Sequence, residues 1–222
     1  MNDGDDADRP GPAAPARGPA AGSAATEGAR MNAPIDRHAT TAVPIHPLLA
    51  SRHSTRAFTP GVDLGDDQIA ALLEAARWAP SAGNTQPWRF LVARRDTGEF
   101  KRVLDCLDPG NRDWASHASA LLVAARTDAN AKGPLPHAAY DLGQAMAHLT
   151  FQAAAEGLTV RQMGGFDAAA LAAEFGLEAP LVPMTVAAIG VAGDPAGLPE
   201  PVAGPDRRAR VRLGIDDLLI RP

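Results

Sequence analysis

Three short apolar runs constrain the fold of this chain most, because each has the length and composition of a strand and each is separated from the next by residues with helical spacing. They occupy residues 88–93, 120–125 and 185–191, and residues 158–162 follow the last long helical stretch before the third of them. Between them, Ile69, Leu72, Leu73 and Ala76 line one face of a helix predicted over 66–79, and Trp78 extends that stripe. Phe100, Val103, Leu104 and Leu107 do the same over 97–107, as do Leu142, Ala145, Met146, Leu149 and Ala153 over 140–155. Strands alternating with helices predict an α+β or α/β chain of three layers, with helices against a mixed sheet.

Local punctuation agrees with this pattern. Asp66 and Asp67 favour a helix start, and Pro80 pushes Ala79 out of helical geometry. Thr97 and Asp167 are placed as N-caps, and Gly157 ends the long helix. Residues 47–51 read as a short helix with proline in its first turn, a short helical piece surrounds Trp114, and 126–136 read as a loop too short for a large lid. Ala139, Gly143, Ala147 and Ala154 keep much of the long helix small, which suits the centre of a dimer or of the fold. Leu218, Leu219 and Ile220 read as a short terminal strand added to a neighbour's sheet.

Residues 1–30 contain no aromatic and no branched aliphatic side chain, so they cannot offset the entropy of ordering. Residues 1–40 are read as a disordered tail and 41–222 as one domain, with Met31 a second candidate for the start of translation. A net charge of -5 disfavours nucleic acid as a partner, yet the arginines are clustered locally, as a small anion requires. The single cysteine, Cys106, falls in a helical pattern and reads as a buried apolar side chain. It permits no intrachain disulfide and no cysteine-rich metal site. His117, His137 and His148 lack metal-ligand spacing, so no metal is expected. No run of eighteen apolar residues and no signal-like segment is present, so the expectation is a cytoplasmic protein without a membrane partner. No dinucleotide-binding glycine fingerprint and no phosphate-loop sequence occurs.

Three clusters carry chemistry. Arg52-His53-Ser54-Thr55-Arg56 offers two guanidinium forks and a hydroxyl to phosphate oxygens, or forms an ordinary basic surface turn. Pro80-Ser81-Ala82-Gly83-Asn84-Thr85-Gln86-Pro87-Trp88 either holds Ser81, Asn84 and Gln86 ready for the heteroatoms of a ring, or makes an asparagine turn before a core tryptophan. Arg210 and Arg212 project together from an extended segment and either clamp the same phosphate or are solvated. Gly164-Gly165 gives a flat ligand unobstructed approach to the backbone, or is a simple loop. If the clusters converge, the natural guest is a phosphorylated, planar organic cofactor.

These residues resemble a known family. Residues 52–58, residues 79–90, Tyr140-Asp141-Leu142-Gly143 leading to Glu156-Gly157-Leu158, and Gly164-Gly165-Phe166 are similar, in that order, to the nitroreductase family of flavin enzymes, over residues 47 to 222. The resemblance implies an α+β three-layer fold with a central mixed, mainly antiparallel sheet, and a homodimer holding FMN at its interface. It implies hydride passing from NADH or NADPH through FMN to an electron-poor acceptor such as a nitroaromatic or a quinone. Arg52, His53 and Ser54 are implied at the phosphate and ribityl end, Arg210 and Arg212 as a phosphate clamp, and Arg56 at the pyrimidine side, where it stabilises charge on the reduced ring. Asn111 and the backbone of Met163, Gly164 and Gly165 are implied beside the ring, with Pro80, Ser81, Asn84 and Gln86 supplied by the other subunit. One branch of the family has a flavin-contacting lysine where this chain has Trp114, which leaves redox tuning and substrate open. Other family activities, a flavin-binding protein without turnover, and an α+β dimer with merely solvated arginines are the rival readings.

Overall fold

The computed structural model describes residues 37–221, and most of the expected tail therefore lies outside the described residues. The elements in chain order are α1 (Pro47–Ser51), α2 (Asp66–Arg77), β1 (Trp88–Arg94), α3 (Gly98–Asp105), α4 (Pro109–Ala115), β2 (Ala120–Thr127), β3 (Ala129–Asn130), β4 (Gly133–Pro134), α5 (Ala138–Ala155), β5 (Thr159–Met163), α6 (Ala168–Phe175), β6 (Leu181–Gly190) and α7 (Glu200–Arg207). The described residues belong to one unit, Ile35–Pro222. Within the stretch read as tail, Arg37 Nη1 donates to the Arg208 carbonyl at 3.0 Å and the Ala39 N–H to the Ala50 carbonyl at 2.9 Å.

The main sheet has the order β1-β2-β6-β5, and every pairing in it is antiparallel. β2 shows why the layers number three. Ala120, Leu122 and Ala124 face one core with Leu72 and Ala76 of α2 and Leu142, Met146 and Leu149 of α5. Leu121 and Val123 face a second core with Phe100 and Val103 of α3, Trp114 of α4 and Leu171 of α6. The two-residue period of a strand thus feeds both faces of the sheet. Truncating any of these fully buried leucines to alanine costs about 2–5 kcal/mol.

The caps hold as their chemistry predicts. The Thr97 hydroxyl accepts the Phe100 N–H at 3.2 Å, and the Asp167 carboxylate accepts the Ala170 N–H at 2.9 Å. Gln68 Oε1 accepts the Gly65 N–H at 3.1 Å at the start of α2, and Gly176 ends α6 with φ 62°.

Several expectations are corrected. β6 starts at Leu181, because a bulge between Ala124 and Ala125 lets Pro183, which has no N–H, join the ladder. Trp78 is 70% exposed and not part of the core stripe: its Nε1 donates to Glu74 at 2.7 Å and Arg77 lies over its ring. Cys106 is only partly buried, against the second core. Residues 126–136 contain the small β3–β4 hairpin, pinned by the Asp128 N–H on the Pro180 carbonyl at 2.9 Å. Residues 215–218 form a 3₁₀ turn, and Leu218, Leu219 and Ile220 form no strand within this chain. The helix α7 went unread because Pro201 and Pro205 break its apolar spacing, although Pro201 sits in the first turn, where its missing N–H is harmless.

Candidate functional site

Beyond α1 the chain leaves helical geometry at Arg52 and runs along the end of β6. Phe58 pairs with Ala192, the Thr59 N–H donates to the Val191 carbonyl at 2.9 Å, and the Gly193 N–H donates to the Ala57 carbonyl at 2.9 Å. Gly193 is required there, since a Cβ would sit 2.8 Å from the Phe58 carbonyl carbon. α7 fastens the same strip from the other side. Asp206, buried, accepts the Thr55 hydroxyl at 2.7 Å and the Arg56 N–H at 2.6 Å through one carboxylate oxygen.

The strip and the segment after α7 bring the first and third sequence clusters together. Arg210 Nη1 donates to the Ala50 carbonyl at 2.8 Å and to the Arg37 carbonyl, and Nη2 donates to the Arg52 carbonyl at 2.9 Å. Its fork is therefore largely committed to backbone. Arg52 Nη1 reaches the Ser54 hydroxyl at 3.4 Å, whereas Arg212 is exposed and, among the described residues, bonds only the Val211 carbonyl, at 2.8 Å. Burial first, then repulsion from neighbouring arginines, lowers the pKa values of both: Arg212 acts on Arg52, and Arg52, Arg212 and Arg37 act on Arg210. A cavity of about 310 Å³ lies beside them, bordered by Arg37, Arg207, Arg208 and Arg210. His53 is half-buried with Nδ1 3.2 Å from the Ser51 carbonyl, and burial holds it below the ordinary histidine range.

The arginines divide by their partners. Arg77, Arg94, Arg95, Arg102, Arg126, Arg207 and Arg221 each meet a carboxylate. Among the described residues, Arg37, Arg52, Arg56, Arg161, Arg208, Arg210 and Arg212 in this region form no ion pair with any carboxylate, and neither do the separate Arg89 and Arg112, whose guanidinium groups bond backbone carbonyls; Arg56 Nε is buried without a hydrogen-bond partner. Guanidinium groups gathered without counter-charge favour an anionic guest.

The other end of the site is built by α4 and the turn after β5. Asn111 Nδ2 donates to the Gly165 carbonyl at 3.0 Å, and the Asp108 N–H donates to the same oxygen at 3.1 Å. A Cβ at residue 165 would lie 2.6 Å from Asp108 Oδ2 and 2.8 Å from Asn111 Nδ2, so any larger residue there would displace these two side-chain ends. Asn111 thus spends its amide on holding the glycine turn. The Met163 side chain is buried in the second core and its carbonyl accepts the Thr185 hydroxyl at 2.9 Å, whereas Gly164 is exposed.

The second sequence cluster stands apart within the protomer. The Ala82 N–H donates to the buried Asp141 carboxylate at 3.1 Å and Gln144 Nε2 to the Pro80 carbonyl at 3.5 Å, fixing the turn to the start of α5. The Ser81 hydroxyl accepts the Gln86 N–H at 3.1 Å, and Gln86 Nε2 bonds the Asn84 side-chain oxygen at 3.1 Å. Asn84 and Gln86 hold positive φ of 55° and 46°, unusual for non-glycine residues, and both are exposed. Among the described residues, no hydrogen bond or ion pair ties this turn to the arginine strip.

The match to known proteins decides the family: the nitroreductase family model covers residues 49–107 and 97–191. The chain belongs to the nitroreductase family. An uncharacterised 15.4 kDa protein of Mycolicibacterium smegmatis is 36% identical across 59% of this chain and 92% of its own length. A Bacillus subtilis protein provisionally assigned as an NAD(P)H nitroreductase is 28% identical across 66% of this chain and 88% of its own. A crystal structure described as an oxidoreductase containing FMN superposes with a TM-score of 0.77 at 30% identity, covering 82% of this chain and 93% of that one. In this nitroreductase-family chain, sequence reading missed Asp206, Thr55 and Arg161. The available signals were a lone arginine in the segment 158–162 and an acid beside the Arg207-Arg208 pair.

Proposed function

We propose that the protein is an NAD(P)H-dependent FMN oxidoreductase that acts as a cytoplasmic homodimer on an electron-poor acceptor, a nitroaromatic or a quinone. The observation that carries this reading is the set of arginines without carboxylate partners on the strip at 52–56, in a nitroreductase-family fold. The donor set fits FMN: Arg52, Ser54 and Arg212 suit a phosphate, and the orphaned Arg56 Nε offers a buried donor to a polar ring edge. The glycine turn at 164–165 admits a flat ligand close to the backbone.

When bound, FMN supplies two-electron redox chemistry, taking hydride from NADH or NADPH and returning it to the acceptor. The chain's own residues bind and orient. Arg52, His53, Ser54 and Arg212 hold the anionic end, and Arg210 braces the strip that carries them. Arg56 places positive charge where negative charge develops, and Asn111 fixes the turn through Met163, Gly164 and Gly165.

The second copy completes the site with Pro80, Ser81, Asn84 and Gln86. Support for pairing comes from apolar surface that a lone protomer leaves in water: Leu213 is 71% exposed, Leu218 67% and Ile220 98% along the C-terminal arm. Trp78 and Tyr140, each 70% exposed, lie at the end of α2 and the start of α5, beside the exposed turn.

Steady-state oxidation of NADH and NADPH by FMN-loaded protein, with and without a nitroaromatic or quinone, tests the activity. Acceptor-dependent turnover is the expected result. Flavin-loaded protein that oxidises neither nicotinamide overturns the enzymatic reading in favour of flavin binding alone.

A further inference from the structure

Arg161 joins the three parts of the site and has no role in the account so far. It sits on β5, two residues before Met163 and four before Gly165. Its Nη1 donates to the Ser54 carbonyl at 2.8 Å, so it reaches the arginine strip. Its guanidinium carbon lies 5.2 Å from the centroid of the Trp114 ring, so it also reaches the helix that carries Asn111. Trp114 is a rigid mount. It is 1% exposed, donates Nε1 to the Gly110 carbonyl at 2.9 Å, and stacks on Phe58 with centroids 6.3 Å apart and planes 14° apart.

A half-buried guanidinium braced on an aromatic face ordinarily finds a carboxylate. Among the described residues Arg161 has no ion pair, and the cation that acts on it most is Arg56, which lowers its pKa in addition to the larger effect of burial. The only acid with a resolved influence on it is Asp206, whose carboxylate is already engaged by Thr55 and the Arg56 N–H. Of the five N–H donors of Arg161, one is used for a protein hydrogen bond. Two neighbouring cations left in mutual repulsion, one with a buried orphan Nε, gain stability when an anion arrives between them.

The arginines fall into two groups. Arg37, Arg52, Arg210 and Arg212 act on one another at the end of the site nearest α1 and residues 207–212. Arg56 and Arg161 form a separate pair toward Trp114 and the glycine turn. Ser54 lies where the two groups meet, with its hydroxyl accepting from Arg52 and its carbonyl from Arg161. A phosphate held by the first group leaves the second for the adjoining part of the guest.

We propose that Arg161 is a cofactor-binding residue which, with Arg56, forms a second cationic pair at the ring of the flavin and favours its reduced, anionic form over its oxidised form. The proposal rests on the FMN reading above and extends it to a residue outside the phosphate group. Trp114 holds the guanidinium in place by a cation–π contact, and the Ser54 carbonyl sets its direction.

The test uses the full chain and three proteins: wild type, Arg161→Met and Arg161→Lys. Oxidised FMN and riboflavin are titrated into apo-protein by fluorescence quenching, and the midpoint potential of each bound flavin is measured by dye equilibration. In Arg161→Met the oxidised flavins bind within about threefold of wild type, while the reduced form is weakened about tenfold more, a fall in potential of about 30 mV for two electrons. The same fall appears with riboflavin, which has no phosphate, and Arg161→Lys recovers most of it by restoring the charge. If Arg161→Met is insoluble, Arg161→Gln gives the same comparison. An unchanged potential, or an effect confined to FMN and absent with riboflavin, overturns the assignment while leaving the FMN reading intact. Wild-type protein that takes up neither flavin overturns both.

Discussion

Asp206 accepts the Thr55 hydroxyl at 2.7 Å, a bond between residues 151 positions apart that closes α7 onto the arginine strip. The same oxygen takes the Arg56 N–H at 2.6 Å, so one buried carboxylate sets both the path of the strip and the origin of the Arg56 side chain. Replacing Asp206 by alanine removes the shared acceptor of the buried Thr55 hydroxyl and the part-buried Arg56 N–H, each loss costing about 1–3 kcal/mol. We expect Asp206→Ala to lower stability in urea unfolding by roughly 2–4 kcal/mol and to weaken FMN binding. Unchanged stability contradicts the fastener role.

Arg210 and Arg212 divide the work that their spacing predicts for both. Arg210 is spent on the carbonyls of Ala50 and Arg52, whereas Arg212 keeps its fork in solvent near Arg52. Arg212→Ala is expected to raise the FMN dissociation constant about tenfold, equivalent to about 1.4 kcal/mol, with riboflavin binding and stability unaffected. Arg210→Ala is expected to lower stability and FMN affinity together. Titration of both flavins alongside urea unfolding separates the two, and equal losses of riboflavin affinity in Arg212→Ala contradict the phosphate assignment.

His53 gives the site a pH dependence with a definite sign. Its pKa is lowered by burial and by Arg37 and Arg210, against the opposing pull of the Ser51 carbonyl and Asp206. Above the unfolded value of about 6.5 both states are neutral. Below it the unfolded chain takes a proton that the folded chain refuses, so stability falls with pH until the lower, folded value is passed. Apo-protein is therefore expected to lose more stability between about pH 7.5 and pH 5.5 than the His53→Gln variant does. Parallel pH profiles for the two proteins contradict this.

In the proposed homodimer the C-terminal arm links assembly to cofactor binding. Deleting residues 213–222 removes Leu213, Ile215, Leu218, Leu219 and Ile220, all exposed on the protomer. The truncated chain is expected to run as a monomer by light scattering and to bind FMN at least about tenfold more weakly, a loss of about 1.4 kcal/mol or more. A truncated dimer with unaltered FMN affinity contradicts the shared site.

Much of this was legible from residues alone. The alternation of Leu121, Leu122 and Val123 between two cores, and the caps at Thr97 and Asp167, follow from local periodicity and hydrogen-bond chemistry. The arginine clusters were visible because unlike residues rarely gather by spacing alone. Asp206 and Arg161 were not, since their partners Thr55 and Trp114 lie far away in sequence and only the tertiary fold brings them together. Arg210 could not be told from Arg212 without knowing which carbonyls lie within reach. The turn at 80–88 showed its chemistry in sequence, and in the proposed homodimer it faces the second copy of the chain.

The central claim is that the unpaired arginines exist to hold FMN. The most direct measurement is the absorbance spectrum of the purified protein, followed by release of any chromophore and titration of the apo-protein with FMN. A flavin spectrum, FMN as the released compound and stoichiometric rebinding are the predicted result. A colourless protein that leaves the fluorescence of added FMN unchanged contradicts it.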